Sequence, residues 1–500
     1  MKKIHVMAWP KLCSMLLLGA SAMFMASCAQ DGFDNNEAFY GTITSGDQLV
    51  SPDGGTFKVK SSADRSTQTI SWSAVTGALD YKVWVYKSDA KIDDTNPGEV
   101  MVSDSLVHNP YVAVPRTKNT YYRIEVMSAE NKAENNPGAD TKTEYKWDTF
   151  MIEITVSNAA EDGGGDFYKY LQMPAHTIAK AIADNGGKEC PVYFYFKPDV
   201  EYTISDEIDF EGHEVILCSE SEDTNKIPVI KLEAKATFKT YASLQLKNLE
   251  INGANVVKKA LITLHDAPQG EQIKSHYHIE SIILDGVKLT DITGSILTDS
   301  KQPYCVVKMS INNCIFKLET EAVTNESLID MYSGSQSGMK DFEVINSTIY
   351  GNGDNAKYFL RYNNSARIDR YGFDSSDHTT MTYKNNTFYN LLNSEGQWGN
   401  YSGIQNSTIY VVTNNIWVNC GAGESARRLL SGGRIGSSEA TWLNNTYWHK
   451  GAAKDQSQYD TSEALTTDPN FKNPAGGDFT PQGSDQLTKK TGDPRWIPAN

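Results

Sequence analysis

Five hundred residues exceed what one ordinary globular core holds, so two or more folding units are expected. Charged residues make up 22% and the hydrophobic set 39%, a soluble and folded balance, while 10% aromatics with abundant Gly, Asn, Ser and Thr favour strands and turns. The formal net charge of −16 argues against nucleic acid as a partner, because a phosphate backbone demands a basic surface.

The chain opens as a targeting segment, with Lys2 and Lys3, an apolar stretch from Leu16 to Phe24, and then Met25-Ala26-Ser27-Cys28. Small residues before a cysteine, directly after an apolar run, resemble bacterial lipoprotein signal peptides. The resemblance implies that residues 1–27 are removed and that Cys28 carries the acyl chains. Ala29 at the next position favours the outer membrane. Asp31, Asp34 and Glu37 are similar to the export tethers of Bacteroidota surface lipoproteins, so 28–39 is expected to be a tether at the cell surface. No other stretch approaches the length that spans a bilayer.

Residues 40–157 form the first expected domain. Tyr81, Val83 and Val85 fall on one face of a run that follows Trp72 and the Gly77-Ala78 turn, and Tyr122 to Val126 repeats the alternation. The pattern Trp-x-x-Val-x-Gly-Ala-x-x-Tyr-x-Val resembles fibronectin type III modules. The resemblance implies a β-sandwich that acts as a spacer without chemistry of its own. Asn158 to Asp166, with Gly163-Gly164-Gly165, reads as a flexible linker.

From 167 to 500 the texture changes. Thr177 to Ala183 has a helical pattern, and Val192–Phe196, Tyr202–Ile204, Ile208–Phe210 and Val215–Leu217 read as very short strands. A capping helix before such strands resembles the entrance of pectin-lyase-like β-helices, where one end of an apolar stack must be sealed. Seven repeats follow, starting at Lys247-Asn248, Asp285-Gly286, Asn312-Asn313, Asn346-Ser347, Asn385-Asn386, Asn414-Asn415 and Asn444-Asn445, spaced by 27 to 39 residues. Two places on stand Leu249, Val287, Cys314, Thr348, Thr387, Ile416 and Thr446; four places on stand Ile251, Leu289, Phe316, Tyr350, Tyr389, Val418 and Trp448. Period-two alternation puts both columns on one face, expected to be the interior. Asn suits the turn, because it tolerates left-handed geometry and its amide can bond the next coil's amide. The expected fold is therefore all-β: a fibronectin type III-like sandwich followed by a right-handed parallel β-helix.

The terminus, Asp468-Pro469-Asn470-Phe471, Gly477-Asp478-Phe479 and Gly492-Asp493-Pro494-Arg495-Trp496, resembles uncharacterised Bacteroidota surface lipoproteins that pair these two modules. That resemblance implies a place among proteins that capture or take up surface glycans.

Chemistry is less legible. The Arg-x-Pro-x-x-Arg pattern of one pectate lyase group and the polygalacturonase motifs are missing from the chain. Six of ten arginines cluster as Arg361, Arg367, Arg370 and Arg427, Arg428, Arg434, each trio before a repeat turn, and form the candidate patch for an acidic glycan; with Asp369, Asp374, Asp377 and His378 beside the first trio they make the candidate active or Ca²⁺ site. If the protein is a lyase, Arg370, Asp374, Asp377 and His378 are the catalytic candidates and Ca²⁺ the candidate cofactor. The position three places after each turn becomes Phe388, Trp417 and Tyr447 in the last coils, expected to stack outward with Trp398, Tyr401 and Trp442 nearby as a platform for sugar rings. Cys190, Cys218, Cys305, Cys314 and Cys420 carry no metal spacing and read as inert core thiols, with one disulfide left open. Three functions remain in play: a non-catalytic polysaccharide-binding or scaffold lipoprotein, first; a lyase on uronic-acid polymers, second; and a structural or adhesive surface protein, third.

Overall fold

The computed structural model describes residues 44–498 except 63–65, 224, 257–258, 319–326, 332–336, 354–355, 363–367, 375–376, 393–395, 401–407, 430–439, 451–455 and 457–458, and omits the side chains of 362 and 370. The chain divides into two compact units, Met1–Phe150 and Met151–Asn500. In the first unit, Lys58–Ser61, Thr67–Ser71 and Tyr111–Pro115 form one antiparallel sheet, while Glu99–Val107, Tyr81–Ser88, Tyr121–Ser128 and Thr143–Asp148 form the other, in that order. Ile70, Trp72 and Val114 from one sheet pack with Tyr81, Val83, Val85, Ile124 and Val126 from the other. The predicted alternation thus becomes the shared core of a β-sandwich. The Tyr122 hydroxyl accepts the Thr117 N–H at 2.7 Å and so ties the last strands to the preceding corner.

The second unit begins earlier than the expected boundary at 157. Ile152–Thr155 pairs in parallel with Val192–Phe196 and is the first strand of the larger unit. The expected linker is also pinned. Gly163, Gly164 and Gly165 all take positive φ, a tight path that glycine alone follows cheaply. Gly165 accepts the Thr203 N–H at 3.0 Å, and the Gly164 N–H reaches Ala159 at 2.8 Å. The expected helix forms over Ile178–Asp184, with Thr177 as its N-cap, accepting the Lys180 N–H. In the helix Phe167–Gln172, Phe167 lies edge-on to Phe194 and Phe196, each 5.1 Å away, over the end of the stack.

From there the chain rotates through three walls. Val192–Phe196 lies in the first, Glu201–Ile204 in the second, Ile208–Asp209 in the third, and Val215–Ser219 returns to the first. Among the described residues the walls hold ten, nine and seven strands, every pair parallel. This is the topology of a parallel β-helix. Among the described residues no helix is long and apolar enough to cross a membrane.

The register corrects the sequence-based columns. The left-handed turn residues are Asn248, Gly286, Asn313, Asn346, Asn385, Asn414 and Asn444. In the first three coils this is the second residue of the quoted pair; in the last four it is the first. A slip of one residue inverts the faces of a strand. The true inward column, by strand pairing, is Ile251, Leu289, Phe316, Ile349, Phe388, Trp417 and Tyr447. Thr348, Thr387, Ile416 and Thr446 face outward, as do Tyr350, Tyr389, Val418 and Trp448. Those four threonine and isoleucine side chains are nonetheless buried, because the C-terminal segment straps over them.

Two asparagine ladders run along the turn. On the outside, Asn444 donates to Asn414, Asn414 to Asn385 and Asn385 to Asn346, at 3.0–3.2 Å. One residue further in, Asn386 donates its amide to Asn415 (2.8 Å), Asn415 to Asn445 (3.1 Å), and Asn445 to the buried Asp460 (3.0 Å). Each inner carbonyl also takes the backbone N–H of the coil before it. The amide ladder that the Asn pairs suggested is therefore doubled.

Candidate functional site

The expected aromatic platform is the core of the late coils. Phe388 and Trp417 stack at 5.3 Å, and Trp417 and Tyr447 at 5.1 Å, so the ladder itself forms. All three are at most 5% exposed, which removes them from any glycan contact. Trp398 stacks on Phe359 at 4.3 Å inside the same core, and Trp442 is buried there too. Tyr401 lies outside the described residues. Burial of these rings follows from the register above: they occupy the inward column, where large apolar surface stabilises most.

Of the six arginines, the side chains of Arg361, Arg427 and Arg428 are described. Arg361 stands on the outer face of the third wall, in register with Asp330 and Asn400, 5.6 Å from the Tyr358 ring. Arg427 and Arg428 sit on the helix Ser425–Leu429, both paired with Glu424, at 3.2 and 3.6 Å. Arg367, Arg434 and the side chain of Arg370 lie outside the described residues. Asp374 and His378 are exposed and Asp377 half-exposed; among the described residues no three acidic, His or Cys side chains converge as a metal site.

The turn Ile368–Tyr371 that carries Asp369 and Arg370 docks on the first wall instead. Tyr371 lies against His276 (4.8 Å), Phe373 against His278 (5.5 Å), and together they cover Cys305. Burial holds the His278 imidazole below its usual value. The Tyr371 hydroxyl fills the space that a Cβ at Gly338 would need. Gly338→Val is therefore expected to lift this turn, cost about 1–3 kcal/mol through overpacking, and raise alkylation of the otherwise inaccessible Cys305 several-fold. Peptide mass spectrometry after brief iodoacetamide treatment reads that change, and unaltered Cys305 protection would contradict it. The five described cysteines are thiols, not disulfides, and burial pushes those of Cys314 and Cys420 up to about 12, which keeps them neutral and inert.

What the fold does bring together is on the third wall. Its strands are two to five residues long, and each contributes one outward residue to a shared row. Strand pairing aligns Asp209, Lys239, Thr263, Thr298, Asp330, Arg361 and Asn400 in one polar row, with neighbours one strand spacing apart. All are exposed or half-exposed.

The head of this row is the most ordered polar cluster in the unit. His265 takes the Ala267 N–H on Nδ1 at 2.8 Å, so Nε2 donates to Asp209 at 3.0 Å. Lys239 pairs with Asp266 at 2.9 Å and reaches Glu207 at 3.6 Å. Burial works against the Lys239 charge, but Asp266, Glu207 and Asp209 outweigh it and hold the ammonium above the usual lysine value. Beside the row lies a cleft of about 200 Å³, between Tyr168, Leu171, Gln172, Thr177, Ile178 and Ala179 of the capping segment and Ile208, Asp209, Glu211 and His213 of the third wall. Asp209 and His265, 56 positions apart, meet here, so no local motif announces the cluster. The sequence signal is slight: a polar residue between two inward ones, as Lys239 in Phe238–Thr240 and Thr263 in Ile262–Leu264.

Three family models match the chain in succession. Each is described as a domain of unknown function: DUF4992 over 1–182, DUF4957 over 200–352 and DUF5123 over 381–496. The stretch with Arg361, Arg367, Arg370, Asp374, Asp377 and His378 falls between the second and third. No curated protein matches the chain. Similar solved structures include pectate lyase PelI from Erwinia chrysanthemi in complex with tetragalacturonic acid, 11% identical over 82% of this chain and 87% of that one, with a TM-score of 0.15. A second structure of PelI is 12% identical over 84% and 91%, also at 0.15. At that TM-score the backbones do not superpose as wholes, and the likeness supports no statement about this chain's chemistry.

Proposed function

We propose that this is an exported lipoprotein, trimmed before Cys28 and anchored in the outer membrane, whose parallel β-helix binds polysaccharide without cleaving it. The first unit is read as a fibronectin type III-like spacer; its three-plus-four strand arrangement and the Tyr122 corner support that. The helix is read as right-handed, as parallel crossovers nearly always are. The observation that carries the binding reading is the polar row of the third wall. It advances one strand spacing per step and presents two charges, two hydroxyls, two further charges and an amide in turn, which suits an extended polymer rich in hydroxyl groups. The late coils of the second wall are strapped over by the C-terminal segment, which closes that wall as a track along the same coils.

Cleavage finds less support. A lyase needs an unprotonated base beside an acidified carbon, whereas Lys239 is held protonated by its carboxylate partners. The test is affinity electrophoresis of the mature chain in gels that contain neutral or acidic polysaccharides. Retardation without product is expected, and Arg361→Ala is expected to weaken it about tenfold, the worth of a hydrogen bond to a charged group. No retardation in any gel would sink the proposal; unsaturated uronate absorbance would move the chain to the lyase reading.

A further inference from the structure

The cleft at the head of the polar row narrows the kind of glycan. We infer that it receives one uncharged pyranose ring at the end of a polysaccharide chain, an inference that rests on the binding reading above. Its volume, about 200 Å³, lies below the roughly 300–1,000 Å³ of ordinary small-molecule pockets and suits one ring. The lining has two characters. Tyr168, Leu171 and Ile178 are partly buried apolar side chains packed against the core, and they offer a surface to the carbon-bound hydrogens of a sugar face. Across from them stand Asp209, Glu211 and His213, which meet hydroxyls.

Asp209 is fixed in place for that task. One oxygen accepts the Glu211 N–H at 2.8 Å and the other the His265 Nε2–H at 3.0 Å, yet each carboxylate oxygen keeps a further lone pair for a sugar hydroxyl. Tyr241 backs His265 edge-on at 5.7 Å and fills the space beside Gly212, so the ring that orients Asp209 cannot swing away.

Charge decides between sugars. Asp209 and Glu211 line the site, with Glu207 and Asp266 beside it around Lys239. The ammonium groups described nearby are already paired: Lys239 with Asp266 and Glu207, Lys169 with Asp166 and Lys180 with Asp184. A uronate carboxylate would meet like charges at short range, which costs affinity even in water. A neutral hexose or pentose meets the same carboxylates as acceptors for its hydroxyls, without that repulsion. The site therefore selects against the acidic polymers that the arginine clusters suggested.

The mature full-length chain tests this in gels of xyloglucan, galactomannan or polygalacturonate, with two variants. Asp209→Asn removes the charge but keeps the shape. Ala179→Trp fills the cleft from an exposed helix position without touching the Asp209 network. Retardation by a neutral polysaccharide is expected, weakened at least fivefold by either variant, with the unfolding midpoint of Ala179→Trp unchanged. Retardation by polygalacturonate alone would overturn the inference and leave polysaccharide binding standing. Neutral retardation untouched by both variants would also overturn it, placing the contact elsewhere on the row. Failure in all three gels would remove the binding reading itself, and this inference with it.

Discussion

Asn415→Leu is expected to destabilise the second unit by about 4–6 kcal/mol, because four buried hydrogen bonds are lost at once at about 1–1.5 kcal/mol each. The Asn415 carbonyl receives the Asn386 backbone N–H (3.1 Å) and side-chain amide (2.8 Å), while its own amide donates to the Tyr383 carbonyl (2.8 Å) and the Asn445 carbonyl (3.1 Å). All of this happens at zero exposure, so no water replaces it. Leucine itself fits the space, since Leu249 and Val287 occupy the same inward position upstream. What differs is the neighbours, which in the late coils are amides that need amides. Asn414→Ala, one residue outward, is the matched control. It loses two half-buried ladder contacts that solvent can replace, to Asn385 and Asn444, and places alanine at φ 57°, for a cost of about 1–2 kcal/mol. Urea unfolding followed by circular dichroism gives both numbers. Equal small losses would mean that the inner ladder contributes nothing beyond packing.

How far the sequence could be read turns on these same asparagines. The repeat, the left-handed turn, the capping helix at Ile178–Asp184 and the alternating core of the first unit were all visible, because each rests on a local rule of spacing or steric tolerance. Which Asn of a pair bends the chain was not. In Asn312-Asn313 it is the second and in Asn385-Asn386 the first, and both residues tolerate the geometry equally. Period-two alternation then turns a one-residue ambiguity into an inverted face, and Phe388, Trp417 and Tyr447 move from a supposed sugar platform into the core. Burial of Thr348, Thr387 and Thr446 was hidden for another reason. They face outward and are covered by residues from more than a hundred positions later in two of the three cases. Asp209, Lys239 and His265 were missed because register alone unites them; none belongs to a motif.

Arg495→Ala is expected to release the C-terminal strap. The Arg495 guanidinium pairs with Asp493, which is 1% exposed, and donates to the carbonyls of Asn313 (3.2 Å), Cys314 (2.7 Å) and Asn346 (2.9 Å), so one side chain ties the terminus to the turns of two coils. Its removal leaves a buried carboxylate without its counter-ion, a loss of about 3 kcal/mol. The Thr348 hydroxyl, which donates to Asp493 and accepts the Trp496 indole N–H at 2.7 Å, loses its setting as well. Limited proteolysis should then cut within 465–498 while the coils upstream stay intact, and amide exchange should quicken over that segment. Asp493→Asn separates charge from shape: it keeps the acceptor for Thr348 but not the ion pair, so an intermediate effect is expected. Phe479 supplies the competing anchor, packed on Tyr350 (4.8 Å) and Tyr389 (5.5 Å). Should the strap stay protected in Arg495→Ala, that apolar contact is the one that holds it, and the ion pair only sets its register. The outward threonines point the other way: small hydroxylated side chains beneath Asp493 and Gly492 fit a segment held by polar contacts at close approach, where larger residues would keep it off.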